Sequence, residues 1–264
     1  MPKPIPRLLE LLKDAPIHGD KYEQFVFQFD EDHYEQRIDM AQFKGADRVL
    51  DIGCGYGQWA VQLAKHNNHV LALDRLDTMA QCAQILFEKY NITNAEAGVA
   101  SLPNLPDLPS ASFDLIWCWG VYMFTPRAET LTEFNRLLKP GGRFLLGSVS
   151  TKGNWRLKLL STYNPFQPTL MPRKKRRAMI KKVLREGGAL NARPNYTQRD
   201  MVESLCERFG FKLIAVNKDG YIDLTGKKRR KPMFRPSFLG MDNTIEWIAE
   251  KVRDIEHPYT EQPE

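Results

Sequence analysis

Residues 49–57 read VLDIGCGYG, a hydrophobic run that ends in an acid and then places glycine at every second position. Such a run predicts a buried strand that turns sharply into a helix. The helix is expected at once, in QWAVQLAKH (58–66), where apolar residues recur at helical spacing. Glycines at this turn let the backbone bend tightly and come close to a ligand without a Cβ in the way. A helix N-terminus there adds free backbone N–H groups, the arrangement with which α/β sheets hold nucleotides.

The spacing separates ligand classes. A dinucleotide loop, G-x-G-x-x-G, needs its last glycine at position 58, which holds Gln58. A phosphate-cradling loop needs a Lys-Ser/Thr ending, and none is present. What remains is D-x-G-x-G-x-G, with Asp51 two residues before Gly53.

The same alternation continues along the chain. HVLALD (69–74) reads as a second strand and TMAQCAQILFEKY (78–90) as a second helix, with Asp77 or Thr78 as its N-cap. NAEAGVA (94–100) is a short strand before the proline-rich loop LPNLPDLPS. FDLIWCWG (113–120) is a fourth strand, AETLTEFNRLL (128–138) a helix, and KPGGR a tight turn into the strand FLLGSVS (144–150). Five alternations at short intervals predict a parallel sheet wrapped by helices. Beyond residue 150 the regularity stops, in a stretch with Pro165, Pro168, Pro172 and Pro194 that is too short for a second core. It resumes with a helix in TQRDMVESLCERFG (197–210), capped by Thr197, and the strand FKLIAVN (211–217). MFRPSFLGM is a candidate strand, and NTIEWIAEKVRDI (243–255) is expected to be a final helix.

Four landmarks, in this order, resemble the class I S-adenosylmethionine-dependent methyltransferases over roughly residues 47–150. VLDIGCGYG matches the first motif, Asp74 the acid after the second strand, FDLIWC the fourth strand, and LLKPGGRFLL the turn into the fifth. The resemblance implies a Rossmann-like, doubly wound, mostly parallel α/β sheet of seven strands, with helices on both faces and an inserted lid after the fifth strand. It implies residues 1–46 as an N-terminal helical cap, 47–150 as the cofactor-binding core and 151–195 as the basic lid. Residues 196–250 would then complete the core, and 251–264 hold a helix end and polar tail. The implied cofactor is S-adenosyl-L-methionine. Asp51 would lie near its amino and sulfonium end, and Gly53, Cys54, Gly55 and Gly57 would border its adenosyl and methionine parts. Asp74 would hold both ribose hydroxyls, with Arg75 beside it and Leu76 on the adenine ring. Ala100 and Ser101 would meet the adenine edge, and Cys118 and Trp119 would close the site from the fourth strand. One position departs from the family pattern. In Gly98-Val99-Ala100, Val99 stands where many members carry an acid that accepts from the adenine amino group, which leaves backbone groups or Ser101 for that task.

Methyl transfer is an in-line displacement for which the protein aligns the acceptor and excludes water. A general base is required only where the nucleophile must lose a proton. His33 and Tyr122 are the candidates for that role, and His33 is equally readable as a surface residue of an acidic run, DEDHYEQ. Trp119 and Tyr122 are read either as lining the acceptor pocket or as packing beneath a lid. Trp117 and Phe124 are expected in the core.

Composition bounds the partners. At 42% hydrophobic and 27% charged residues, the chain has no apolar run near the roughly 20 residues needed to span a membrane. With prolines and charges in its first 16 residues in place of a signal peptide, a cytoplasmic location is expected. Its four cysteines, Cys54, Cys82, Cys118 and Cys206, form no C-x-x-C pair, so buried reduced thiols are expected and no metal site. The formal charge of +6 is unevenly spread. Residues 1–150 carry 14 Lys and Arg against 19 Asp and Glu, while residues 151–264 carry 24 against 13. Arg173–Arg185 alone holds eight basic residues, and 227–235 holds six. This basic second half suits an anionic partner. A small or medium-sized polar, anionic molecule or glycan is the expected acceptor. The alternatives are an RNA held by its phosphate backbone, a membrane-surface contact through WRLKLL (155–160), and a cofactor-binding module without catalysis.

Overall fold

The computed structural model describes residues 26, 28–149, 199–233, 237–238, 241–242 and 244–255. The basic stretch 173–185, the segment WRLKLL, Thr197 and the tail from 256 lie outside the described residues. The elements follow in the order α1 (Glu31–Ala41), β1 (Arg48–Ile52), α2 (Gln58–Ala64), β2 (His69–Asp74), α3 (Asp77–Lys89), β3 (Ala95–Val99) and β4 (Phe113–Trp119). A 3-10 turn (Tyr122–Phe124), α4 (Arg127–Leu137) and β5 (Leu138–Val149) come next. A second 3-10 turn (Arg199–Met201), α5 (Val202–Arg208), β6 (Phe211–Lys218), β7 (Ser237–Phe238), β8 (Met241–Asp242) and β9 (Thr244–Lys251) complete the described chain.

Seven strands form one sheet in the order β3-β2-β1-β4-β5-β9-β6. β1 to β5 pair in parallel, and β9 inserts antiparallel between β5 and β6. Side chains alternate across the sheet, as the pleat requires. Val49, Trp117, Leu145 and Ile248 pack with α1, α2 and α3 on one face. Leu50, Ile116, Leu146 and Trp247 pack with α4 and α5 on the other. Both faces are therefore covered, which is why the central strands read as continuous hydrophobic runs. No helix among the described residues is long and apolar enough to cross a membrane.

Three expectations are corrected. NTIEWIAEKVRDI holds the strand β9, not a helix. Ile245, Trp247 and Ala249 face one core and Ile248 the other, so a strand buried on both sides lacks the simple alternation that would mark it. KPGGR is not a free turn but an irregularity inside β5, where Phe113 pairs with Leu138 while Leu115 pairs with Arg143. Neither Asp77 nor Thr78 caps α3; Leu76 holds that position without a side-chain bond. The candidate strand MFRPSFLGM contributes only the two-residue strands β7 and β8, which pair with each other.

Candidate functional site

The loop between β1 and α2 takes its shape from glycine. Gly53, Gly55 and Gly57 have φ of +77°, +55° and +85°, a region that side-chain-bearing residues avoid. The loop is tied down by Gly53 and Cys54, whose N–H groups both donate to the Leu73 carbonyl, at 2.7 and 3.0 Å. Two of the glycines make room for the protein itself. A Cβ on Gly53 would lie 2.0 Å from Val121 Cγ2, and one on Gly57 would lie 2.8 Å from the Ala83 backbone of α3.

Two carboxylates flank this loop. Asp74 ends β2 and is half-buried; its Oδ2 accepts the Gly55 N–H and its Oδ1 the Leu76 N–H, each at 3.0 Å. It thereby fixes both the glycine loop and the entry to α3. Asp51 is buried, with the Ala60 backbone N–H as a donor to it, while its Oδ2 meets no hydrogen-bond partner among the described residues. Burial, and then the negative charge of Asp74, push the Asp51 carboxyl well above the usual range.

The other residues expected near the cofactor fall into three groups. Arg75, Leu76, Val99 and Ser101 are exposed at the carboxyl edge of the sheet, with Ala100 half-buried beside them. Val99 is the sheet partner of Asp74, and the Ala100 N–H donates to the Asp74 carbonyl at 3.0 Å, so β3 ends at the level of that acid. Cys54 and Cys118 are buried thiols, and burial raises both well above the ordinary thiol range. Trp119 and Tyr122 go to opposite sides. Trp119 belongs to the face covered by α1 and α2. Tyr122 is fully buried on the other face, edge-on to Trp247 at 5.5 Å. Phe124, expected in the core, is half exposed, because the 3-10 turn carries it out of β4 into the loop.

A polar cluster that the sequence did not announce stands beside Trp119. Arg37 of α1 donates to Asp219 at 2.6 Å and to Glu246 of β9, with all three side chains buried. Its guanidinium lies 5.6 Å from the Trp59 ring centroid and 5.7 Å from that of Trp119. Glu246 also accepts from Gly220 and Ile222 N–H, and Asp219 accepts from Met233 N–H at 2.7 Å. Burial raises the Glu246 carboxyl to about 7, against the pull of Arg37. The only signal of this cluster in the sequence is that Arg37 sits on the helical stripe of Tyr34, Ile38 and Ala41, where a solvent-facing arginine has no place.

His33 stands one turn before Arg37 on α1. Its ring tilts against Phe29 at 4.5 Å, and its Nε2 is buried with no hydrogen-bond partner among the described residues. Burial first, then the charges of Arg37 and Lys231, push its pKa down to about 4.

The family model of a methyltransferase domain matches residues 49–142, the span from the glycine loop to the β5 irregularity. The chain belongs to the class I S-adenosylmethionine-dependent methyltransferase family. Over 110 residues it is 34% identical to an S-adenosyl-L-methionine-dependent Diels-Alderase of Talaromyces variabilis, covering 40% of this chain and 38% of that protein. The chain thus spans well under half the length of that relative. An uncharacterised protein of Methanocaldococcus jannaschii is 28% identical over 240 residues, covering 90% of this chain and 86% of its own. Among solved structures, magnesium protoporphyrin IX methyltransferase from Synechocystis PCC 6803 with bound SAH superimposes with a TM-score of 0.55. That match covers 92% of this chain and 91% of the other at 13% identity, a likeness of fold. The family's cofactor is S-adenosylmethionine, and Rossmann-like α/β is its fold.

Proposed function

We propose that this methyltransferase-family chain transfers a methyl group from S-adenosylmethionine to a small or medium-sized polar, anionic acceptor. The observation that carries this reading is the pair of acids around the glycine loop, Asp51 buried with an unsatisfied oxygen and Asp74 at the strand edge. An orphaned buried carboxylate oxygen is costly unless a donor reaches it, and the cofactor's ammonium is such a donor. Asp74 already accepts two N–H groups, yet a carboxylate offers about four lone-pair sites, which leaves room for both ribose hydroxyls. Leu76 and Val99, 44% and 56% exposed, border that edge with apolar surface suited to a flat base. Arg75, Ala100 and Ser101 close the same rim. The residues present therefore fit the group.

When bound, the cofactor supplies a methyl carbon activated by a positive sulfur. This chain's residues hold and orient. Asp51 and the loop of Gly53, Cys54, Gly55 and Gly57 fix one end, Asp74 the middle, and Trp119 limits the space beside β4. The thiols of Cys54 and Cys118 stay protonated, so neither competes as a nucleophile for the methyl group.

Calorimetry with S-adenosylmethionine, followed by transfer of labelled methyl to candidate acceptors, tests the reading. Binding at one site that is lost in Asp74→Ala is the expected result. A chain that binds no cofactor would remove the proposal, and a chain that binds it but methylates nothing would favour the binding-module alternative.

A further inference from the structure

The basic run at 227–231 has no single job in the fold. Arg229 pairs with Asp39 at 2.7 Å and with Asp223 at 3.3 Å, and so ties its loop to α1. Arg230 lies over the Tyr221 ring at 5.2 Å. Lys231 differs from both, since its ammonium makes no ion pair or hydrogen bond with a described residue. Its backbone, however, is fixed from three sides. The Lys231 N–H donates to the Gly220 carbonyl at 2.9 Å, and its carbonyl accepts from Arg37 at 3.3 Å. Gly220, at φ +69°, lets the strap pass so close that a Cβ there would lie 2.3 Å from the Lys231 carbonyl. A lysine whose backbone is clamped while its charge is left unpaired is placed for a ligand.

The direction of α1 shows where that charge lies. Its C-terminal end meets the start of the parallel part of β5, where Arg143 donates to the Gln42 carbonyl at 3.0 Å. Arg37 is level with Trp119, the last residue of β4, and with Glu246, which pairs with Gly147 of β5. The helix therefore climbs toward the carboxyl edge of the sheet as it runs back to its N-terminus. His33, four residues earlier, stands about 6 Å beyond Arg37. This is the edge that carries the glycine loop, Asp74 and Trp119. The charge of Lys231 reaches the His33 ring there.

We infer that His33 and Lys231 form the acceptor end of the site and select an acidic hydroxyl, of the phenol or carboxylic acid class, as the nucleophile. The inference rests on the methyl-transfer reading and deepens it. Lys231 stabilises the developing oxyanion, and His33 Nε2 accepts the hydroxyl proton. The acceptor oxygen forms its bond to the methyl carbon while the carbon–sulfur bond breaks and its electron pair goes to sulfur. The proton on His33 then passes to water. Four charged groups act on the imidazole: Arg37 on its own helix and Lys231 on the strap disfavour its proton, while Asp219 after β6 and Asp30 at the start of α1 favour it. Disfavour prevails, so the ring rests neutral and sheds the proton it takes.

The experiment titrates 4-nitrophenol into the full chain saturated with S-adenosylhomocysteine and reads the phenolate absorbance of the probe. Binding should lower the apparent pKa of the probe by about one unit, a tenfold preference for the phenolate. His33→Phe and Lys231→Met should each weaken phenolate binding about tenfold, with S-adenosylhomocysteine affinity by calorimetry unchanged as the sign of an intact fold. Unaltered phenolate binding in both variants, or a probe that ignores the wild-type chain while S-adenosylhomocysteine binds, would overturn this inference alone. Absence of S-adenosylhomocysteine binding in the wild type would instead strike the methyl-transfer reading.

Discussion

The Arg37 guanidinium and the Asp219 carboxylate meet at 2.6 Å across 182 residues of chain, in a place that water does not reach. With Glu246 as the second acceptor, this contact joins α1 to the strap after β6 and to β9, and so links the first described helix to the last strand. Arg37→Met would leave two carboxylates buried without their cation. The expected loss of stability is about 3–5 kcal/mol, read as a lower midpoint in urea unfolding. Exchanging Arg37, Asp219 and Glu246 together for apolar residues of similar volume should recover most of it, because the desolvation cost of all three charges disappears. A single variant as stable as the wild type would show that the cluster is not a working tie.

Gly57 carries two constraints at once, φ of +85° and an Ala83 backbone 2.8 Å from the missing Cβ. Gly57→Ala should therefore cost about 2–4 kcal/mol, part from the left-handed backbone and part from the overlap. Gly45 provides the control, since φ is +75° there but nothing lies within 4 Å of its missing Cβ. Gly45→Ala should show the backbone share only. Equal losses in thermal melts of the two variants would mean that the close approach to α3 contributes nothing.

Stability and cofactor binding should move in opposite directions at Asp51. Its carboxyl is raised by burial and by Asp74, so ionised Asp51 opposes folding at neutral pH. Asp51→Asn is expected to melt higher than the wild type and to bind S-adenosylmethionine more weakly, measured by calorimetry on the same samples. A variant that melted lower and bound equally well would contradict both the electrostatic argument and the proposed role.

The legible part of this fold was its first half. Strands such as Val49–Asp51 and Val70–Asp74 are local hydrophobic runs, and the glycines between them restrict the backbone to a loop that few ligands suit. β9 was misread because its defining feature is not local. Glu246 in the middle of NTIEWIAEK looks like the polar face of a helix until Arg37, 209 residues away, neutralises it inside the sheet. The same distance hides the acceptor end of the site. Lys231 belongs to a run of five basic residues that reads as one patch, and only the Gly220 contact and the course of α1 separate it from its neighbours. Phe124 was misplaced for a simpler reason: aromatic content predicts burial on average, and the 3-10 turn after β4 overrides it.

The pH dependence of stability offers a test of the surroundings of His33. Its folded pKa, about 4, lies below the ordinary value of about 6.5. Between those values the unfolded chain takes up a proton that the folded chain refuses, so this contribution is fully present above about pH 6.5 and falls away as pH drops toward 4. The wild type should lose midpoint in urea steadily across that window. His33→Gln, which cannot titrate, should lose less, and the difference between the two curves should flatten below pH 4. Parallel curves throughout would mean that the ring is solvated and charged in the folded protein, and that neither Lys231 nor Arg37 acts on it.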